Sequence, residues 1–163
     1  MAKPYNFCPM CTSTLAKNEE GYMGCISETC NFVQYENPTP VVGAIVEYEG
    51  HSVVLVQNVG WPSHWYGLVT GFLEKHEHPD QAVLREIEEE VGLKGEIVDF
   101  RGHWTFEQMN QIIMIYHVKA SGPITKGDEL ADYKLVPIEK ARGWGAATGL
   151  ALQEWLDERK IEN

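Results

Sequence analysis

GFLEKHEHPDQAVLREIEEEVGL, residues 71–93, is the stretch that decides the fold of this chain. Its second half carries the signals of an amphipathic helix, with Pro79 at a first helical position and apolar residues three or four positions apart. Gly92 stands where a helix ends in a left-handed residue, and the apolar Leu93 folds back onto it. We therefore predict a helix from Pro79 to Gly92. Its apolar stripe consists of Ala82, Val83, Ile87 and Val91.

Seven of these 23 residues are acidic, and three of the seven share one face of the predicted helix. Glu86, Glu89 and Glu90 are three and four residues apart, which places their carboxylates on the same side. Like charges at this spacing repel each other, whereas carboxylate oxygens are the ligands that Mg²⁺ and Mn²⁺ prefer. The spacing alone leaves two interpretations, a divalent-cation site or a solvated acidic face.

The surroundings of these glutamates match a known motif, since every specified position of the Nudix box occurs in residues 71–93. These positions are Gly71, Glu77, Arg85, Glu86, Ile87, Glu89, Glu90, Gly92 and Leu93. Over about residues 38–163 the chain therefore resembles a Nudix hydrolase. The resemblance implies an α/β/α sandwich whose strand–loop–helix carries the box. It also implies an enzyme that uses Mg²⁺ or Mn²⁺ to cleave a phosphoanhydride in a nucleoside diphosphate linked to a further group X.

The resemblance also implies roles for the box residues. The implied metal ligands are Glu86, Glu89, Glu90 and the backbone carbonyl of Gly71. Arg85 and Glu77 are implied to brace the loop against the helix, and a planar guanidinium suits a position among carboxylates. The remaining acids of the stretch are predicted to be solvated surface: Glu74, Asp80 and Glu88.

A carboxylate that metal does not saturate has to accept the proton of the attacking water. Glu89 or Glu90 can do this, and in many Nudix relatives a further glutamate on a later loop participates. In KGDELADYKLVPIEKA, residues 126–141, Glu129 occupies that place and Asp128 is its local competitor. The alternative for either residue is to cap a turn. The predicted catalytic residues are Arg85, Glu89, Glu90 and Glu129.

The segment 1–37 has little apolar periodicity and cannot build an ordinary core. It contains all four cysteines of the chain, which are Cys8, Cys11, Cys25 and Cys30. The first pair forms a CxxC knuckle of the kind that holds zinc, and the second pair can complete a structural four-thiolate site. We predict a zinc ribbon over 1–37, with free thiols or a degraded site as the alternative.

The cysteine segment, the linker YENP (35–38) and the box together resemble one Nudix subgroup. It contains NADH pyrophosphatases and zinc-ribbon-bearing ADP-ribose/FAD pyrophosphatases. In that subgroup an aromatic residue after the box glycine and a tyrosine from the ribbon junction sandwich adenine, often across a homodimer. The resemblance implies these roles for Phe72 and Tyr35, and it implies a homodimer. Further aromatic candidates, for each of which packing is the alternative, are Trp104 and Phe106, then Trp61, Trp65 and Tyr66.

The substrate class follows from the same resemblance. NADH-type members carry the motif SQPWPFP soon after the box, but residues 102–118 here read GHWTFEQMNQIIMIYHV. This departure argues against NADH and NAD-capped RNA and favours the ADP-ribose/FAD type. The predicted substrate is ADP-ribose, FAD or a related adenine dinucleotide such as NADH. The alternatives are a (deoxy)nucleoside triphosphate pyrophosphohydrolase and a Nudix-like nucleotide sensor that does not cleave its ligand.

The rest of the chain supplies alternating strand patterns around the box helix. Predicted strands cover 41–48, 52–58, 96–106, 111–118 and 132–136, and a last helix covers about 145–160. Strands and helices interleave without strict βα alternation, which favours a mixed sheet flanked by helices. The predicted domains are a zinc ribbon, 1–37, and a Nudix hydrolase domain, 38–163.

The overall charge limits the partners of this protein. Its 163 residues carry a formal net charge of −11, which argues against attraction to nucleic acid or to an anionic membrane. The cysteine segment contains only two basic residues, Lys3 and Lys17, so a nucleic-acid-binding ribbon is also disfavoured. The N-terminus lacks the pattern of a secretory signal and no segment has the apolar length of a membrane span. We expect a cytoplasmic protein with a nucleotide substrate.

Overall fold

A computed structural model describes residues 5–161, and the chain divides into two compact units between Pro38 and Thr39. The N-terminal unit contains a three-stranded antiparallel sheet, and its described residues include the buried hydrophobic Cys8 and Leu15. Its strands are β1 (Leu15–Lys17), β2 (Met23–Cys25) and β3 (Val33–Gln34). The assignment of 1–37 to a zinc ribbon and of 38–163 to a Nudix domain stays a prediction.

The second unit is built on a six-stranded sheet. Its elements are β4 (Thr39–Tyr48), β5 (Ser52–Asn58), β6 (Val69–Phe72), α1 (Pro79–Val91), β7 (Gly95–Phe106), a 3₁₀ helix (Glu107–Met109), β8 (Gln111–Ala120), β9 (Leu130–Pro137) and α2 (Ala147–Ile161). The strand order is β7-β8-β4-β5-β9, and β6 pairs with β4. The β4–β8 pair is parallel and the others are antiparallel, so the predicted mixed sheet is confirmed.

Strand β4 supplies core residues to both faces of the sheet, which explains its nearly continuous apolar sequence. Because side chains alternate along a strand, Val42 and Val46 pack in the cluster that contains the apolar stripe of α1. Ile45 packs on the other face, in the cluster that contains Leu152 and Trp155 of α2. One helix therefore covers each face of the sheet.

The sequence patterns predicted most of these elements. The box helix occupies 79–91 with Gly92 as its left-handed cap, and all four residues of its apolar stripe are buried. The predicted strands lie within two residues of those observed at each end. Apolar alternation did not predict β6, because its sequence VTGF is short and contains Gly71, although the box resemblance implied a strand there. None of the described helices is long and apolar enough to cross a membrane.

A buried polar cluster connects β4, β8 and α2. Glu47 is only 3% exposed, and its carboxylate accepts hydrogen bonds from both terminal nitrogens of Arg159, at 2.9 and 3.1 Å. His117 Nε2 lies 2.7 Å from the same carboxylate, and the His117 ring packs on Trp155. Burial alone raises the pKa of Glu47, but the hydrogen bonds from Arg159 and His117 lower that pKa below its usual value. Burial also lowers the pKa of His117.

We expect Glu47→Gln to lower the free energy of unfolding by about 3 kcal/mol at neutral pH, because it leaves Arg159 and His117 without their anion. Depressed folded-state pKa values at Glu47 and His117 both mean that stability is lost as the pH falls. The wild type should therefore lose stability more steeply than the variant on acidification, as measured by urea unfolding across pH. The exposed Glu139→Gln is the control, and equal acid sensitivity in Glu47→Gln and wild type would contradict the assignment.

Candidate active site

Arg85 fastens the loop after β6 to the box helix. Its Nε and Nη2 donate to the two carboxylate oxygens of Glu77 at 2.8 and 3.0 Å, so the pair is bidentate. Nη1 donates to Glu86 at 2.8 Å and to Glu89 at 2.9 Å. Nη2 also reaches the carbonyl oxygen of Phe72 at 3.3 Å. The Arg85 guanidinium lowers the pKa of Glu77, and it partly offsets the negative charge of the helix face.

Gly71 is required by the close approach of Glu86. A Cβ atom at residue 71 would lie 1.8 Å from the carboxyl carbon of Glu86, which no side chain can tolerate. Strand β6 holds this glycine in place by pairing Gly71 with Val42 of β4. The Glu86 carboxylate therefore packs directly against the backbone of the box glycine.

Glu90 is a buried carboxylate with an unpaired oxygen. It is 5% exposed, and among the described residues its Oε2 has no hydrogen-bond partner. Burial, and then the negative charges of Glu86, Glu129 and Glu89, raise the pKa of Glu90 to about 8. Burying a carboxylate without a partner is costly, and a hard divalent cation supplies the missing partner. The donor set of this face suits Mg²⁺ or Mn²⁺.

The segment before β9 folds back over the C-terminal end of α1. The backbone N–H of Thr125 donates to the carbonyl of Val91 at 3.0 Å, and that of Gly127 donates to the carbonyl of Glu90 at 2.8 Å. These bonds satisfy carbonyls that the end of a helix leaves open. They also bring Glu129 to the box, where its charge helps to raise the pKa of Glu86 and of Glu90.

The box carboxylates open onto a cavity of about 1040 Å³, which is at the upper end of the usual range for ligand sites. Glu129 lines this cavity, whereas Asp128 is not among the described residues that do. The aromatic residues of the lining are Trp61, Trp65, Tyr66, Phe72, Phe106 and Trp144. Negative charge and aromatic rings therefore face the same space.

Two of the predicted substrate contacts do not lie in this cavity lining. The indole of Trp104 donates to the carbonyl of Arg101 at 3.0 Å and packs against the core under α2, so the structure gives it a packing position instead. Tyr35 belongs to the N-terminal unit, where its ring meets that of Tyr22 edge-on with centroids 5.3 Å apart. Sequence reasoning missed Trp144, although an aromatic residue in ARGWGAA, just before a predicted helix, was an available signal.

Comparison with known proteins agrees with this geometry, since a family model, the NUDIX domain, matches residues 37–156. The chain belongs to the Nudix family. A Nudix hydrolase from Nitrosomonas europaea has the same fold, with a TM-score of 0.79 and 24% identity over 96% of this chain and 93% of that one. The predicted Nudix α/β/α sandwich is thereby confirmed.

Among curated proteins, the Nudix chain is similar to the NAD-capped RNA hydrolase NudC of Pseudomonas aeruginosa. The two are 28% identical over 134 residues, which is 80% of this chain and 47% of the relative. The NAD-capped RNA hydrolase NUDT12 of Homo sapiens is 32% identical over 98 residues, which is 55% of this chain and 21% of the relative. The chain thus spans about half, or less, of the length of these relatives.

The four cysteines of the Nudix chain come together in the N-terminal unit. Their sulfur atoms all lie within 4.8 Å of one another, and no disulfide joins them. The Cys8–Cys30 and Cys11–Cys25 sulfurs are 3.7 and 3.5 Å apart. Thiolates at tetrahedral corners around zinc are about 3.8 Å apart when each Zn–S bond is about 2.3 Å. The four-residue spacing from Cys25 to Cys30 is therefore compatible with a zinc site.

The stability of metal-free protein should depend on Glu90. Because its folded-state pKa of about 8 lies above the ordinary value, the folded state loses a stabilising proton as the pH rises between about 5 and 8. In EDTA, urea unfolding should show wild-type stability falling over this range, and Glu90→Gln should reduce the fall. The exposed Glu88→Gln should keep the wild-type slope. An unchanged slope in Glu90→Gln would show that Glu90 does not titrate there.

Purified protein should contain about one zinc ion per chain, because four thiolates form a closed tetrahedral site. Elemental analysis measures the content directly, and Cys25→Ser or Cys30→Ser should lower it strongly. Met10→Ala, an exposed position within the first knuckle, serves as the matched control and should retain zinc. Zinc-free wild-type protein, prepared without chelator, would favour the free-thiol alternative.

Proposed function

We propose that this Nudix protein is a divalent-metal-dependent pyrophosphohydrolase that cleaves a nucleoside diphosphate linked to a further group. The observation that carries this function is the buried, unpaired carboxylate oxygen of Glu90 in a wall of the aromatic-lined cavity. A site for an uncharged ligand would gain nothing from this carboxylate. A cation that neutralises it also attracts phosphate.

The metal-binding residues in this proposal are Glu86, Glu89, Glu90 and the Gly71 carbonyl. Bound Mg²⁺ or Mn²⁺ supplies positive charge to the phosphate oxygens and lowers the pKa of a water nucleophile. Arg85 keeps Glu86 and Glu89 on one side of the helix through its 2.8 and 2.9 Å hydrogen bonds. Its bidentate pair with Glu77 fixes the loop that follows Phe72.

Glu129 is the residue that we propose to accept the proton of the attacking water. Glu89 already accepts a hydrogen bond from Arg85 at 2.9 Å, and Glu90 is buried. Glu129 lines the same cavity from a different segment, and no hydrogen bond or ion pair of its carboxylate is found within the described part of the chain. A carboxylate without such a partner at the cavity surface is available for proton transfer.

The proposed substrates are ADP-ribose, FAD and related adenine dinucleotides such as NADH. Phe72 lies in the cavity lining directly after the box glycine, where a base can stack on it. The relatives named above are hydrolases of NAD-capped RNA, which contains the same kind of diphosphate bridge. We further propose a homodimer in which Tyr35 contributes to adenine binding, and a structural zinc in the N-terminal unit. The cytoplasmic location stays a prediction.

With Mg²⁺ or Mn²⁺, the purified protein should release a mononucleotide from at least one member of a panel. The panel contains ADP-ribose, FAD, NADH, NAD-capped RNA and nucleoside triphosphates, and products are separated by chromatography. Glu90→Gln should lower kcat by about 100-fold or more with the fold intact, because it removes a ligand of the cation.

Substitutions at Glu129 and at its neighbour Asp128 distinguish the loss of a proton acceptor from the loss of a negative charge near the site. Glu129→Gln should lower kcat by about 100-fold and change KM little, as expected for a lost general base. Asp128→Asn changes the same formal charge one residue away and should leave kcat unchanged. Equal effects of the two substitutions would remove Glu129 from the mechanism, and no hydrolysis of any panel compound would overturn the proposed function.

A further inference from the structure

We propose that Trp61 and Trp65 form a second ring-binding wall, so that the preferred substrate carries a planar heterocycle on each side of its diphosphate. This inference rests on the proposed pyrophosphohydrolase function and narrows its substrate class. It places dinucleotides, which have two heterocycles, ahead of ADP-ribose, which has one.

The two tryptophans line the cavity without belonging to the hydrophobic core. Trp61 is 41% exposed and Trp65 is 58% exposed, and neither is part of the two buried clusters of the described chain. An isolated exposed apolar residue needs no explanation, but two indoles at one cavity form a large apolar surface beside carboxylates. Such rings provide stacking surface for a ligand.

Hydrogen bonds from one buried side chain anchor the backbone of the loop that carries these rings. Gln57, which is 7% exposed, donates from its side-chain amide to the carbonyls of Pro62 at 2.9 Å and Trp65 at 3.2 Å. The far edge of the Trp61 ring lies over Gly67, where a Cβ atom would be 3.4 Å from it. A buried amide thus holds the backbone directly after Trp61 and at Trp65.

Strand β9 fixes the next aromatic residue of the loop. The hydroxyl of Tyr66 donates to Asp132 at 2.6 Å, and Lys134 Nζ lies 3.7 Å from the centre of the Tyr66 ring. A rigid wall loses little conformational entropy when a ligand binds. The loop is therefore preorganised for a flat partner.

The position of this wall relative to Phe72 supports a substrate with a heterocycle on each side of its diphosphate. The loop begins next to Glu129, because the N–H of Val59 donates to the Glu129 carbonyl at 2.9 Å. Phe72 ends the segment that begins at the Val56–Gly67 bridge and continues in β6, so at about 3.3 Å per residue it can lie up to about 17 Å from Gly67. The carboxylates of Glu90 and Glu129 face the same cavity as both aromatic walls. A diphosphate held by the metal can therefore extend a ring toward each wall.

Steady-state kinetics of Trp65→Ala test this assignment. With FAD or diadenosine diphosphate, kcat/KM should fall about tenfold or more through KM, whereas with ADP-ribose it should change less than about twofold. Trp65→Phe should restore most of the loss, and Trp61→Ala should act in the same direction as Trp65→Ala. Phe100→Ala removes an exposed aromatic side chain outside the cavity lining, so it should leave kcat/KM unchanged for both kinds of substrate.

If Trp65→Ala lowers kcat/KM equally for substrates with one and with two heterocycles, or lowers it for neither, the proposed second ring-binding wall is wrong. If the wild type hydrolyses none of these compounds, the proposed function fails. Calorimetric titration with FAD and ADP-ribose in Mg²⁺ then tests, independently of hydrolysis, whether the tryptophans bind a second heterocycle. Tighter binding of FAD than of ADP-ribose, lost selectively in Trp65→Ala, would support it. Equal affinities in the wild type would overturn it.

Discussion

Repulsion among carboxylates on one helix face is the constraint on which the rest of this structure depends. Glu86, Glu89 and Glu90 leave α1 on the same side, and Glu90 does so from a buried position. Folding the chain this way is tolerable because Arg85 bonds to Glu86 and Glu89 and because burial keeps a proton on Glu90 near neutral pH. The negative charge that remains on this helix face attracts cations, which a neutral helix face would not do.

The sheet supplies the rigidity that this constraint requires. Strand β4 is buried on both faces, pairs with β6 along the box glycine and runs parallel to β8 over its whole length. The opposite helix is fixed to the same strand through the ion pair of Glu47 and Arg159. A shift of β4 would therefore disturb the contact between Gly71 and Glu86 together with the packing of α2.

Local patterns predicted the helix, its cap and most strands, because period and capping residues act over a few positions. The box spacing also indicated which carboxylates share a face. The place of Trp144 just before a predicted helix was a local signal, but no local pattern indicated that its ring lines the cavity or that Trp104 packs against the core. Whether an aromatic side chain lines the cavity or packs in the core depends on strands and helices far apart in sequence. Glu129 illustrates the same limit, since its proximity to Glu90 follows from the backbone bonds of Thr125 and Gly127 to the helix end.

The distribution of charge and rings in the cavity separates two tasks. Because the protein has a net charge of −11, we expect a phosphate compound to approach the box more readily when cations are bound, so in the proposed function the metal controls entry of the diphosphate. The aromatic walls act differently, because stacking on Phe72 or Trp65 does not depend on the charge of the ligand. In this proposal cation binding determines where a diphosphate lies, whereas the aromatic rings select substrates by the groups that flank the diphosphate. Substrate preference can then change through the loop of residues 59–66 without altering a single carboxylate of the box.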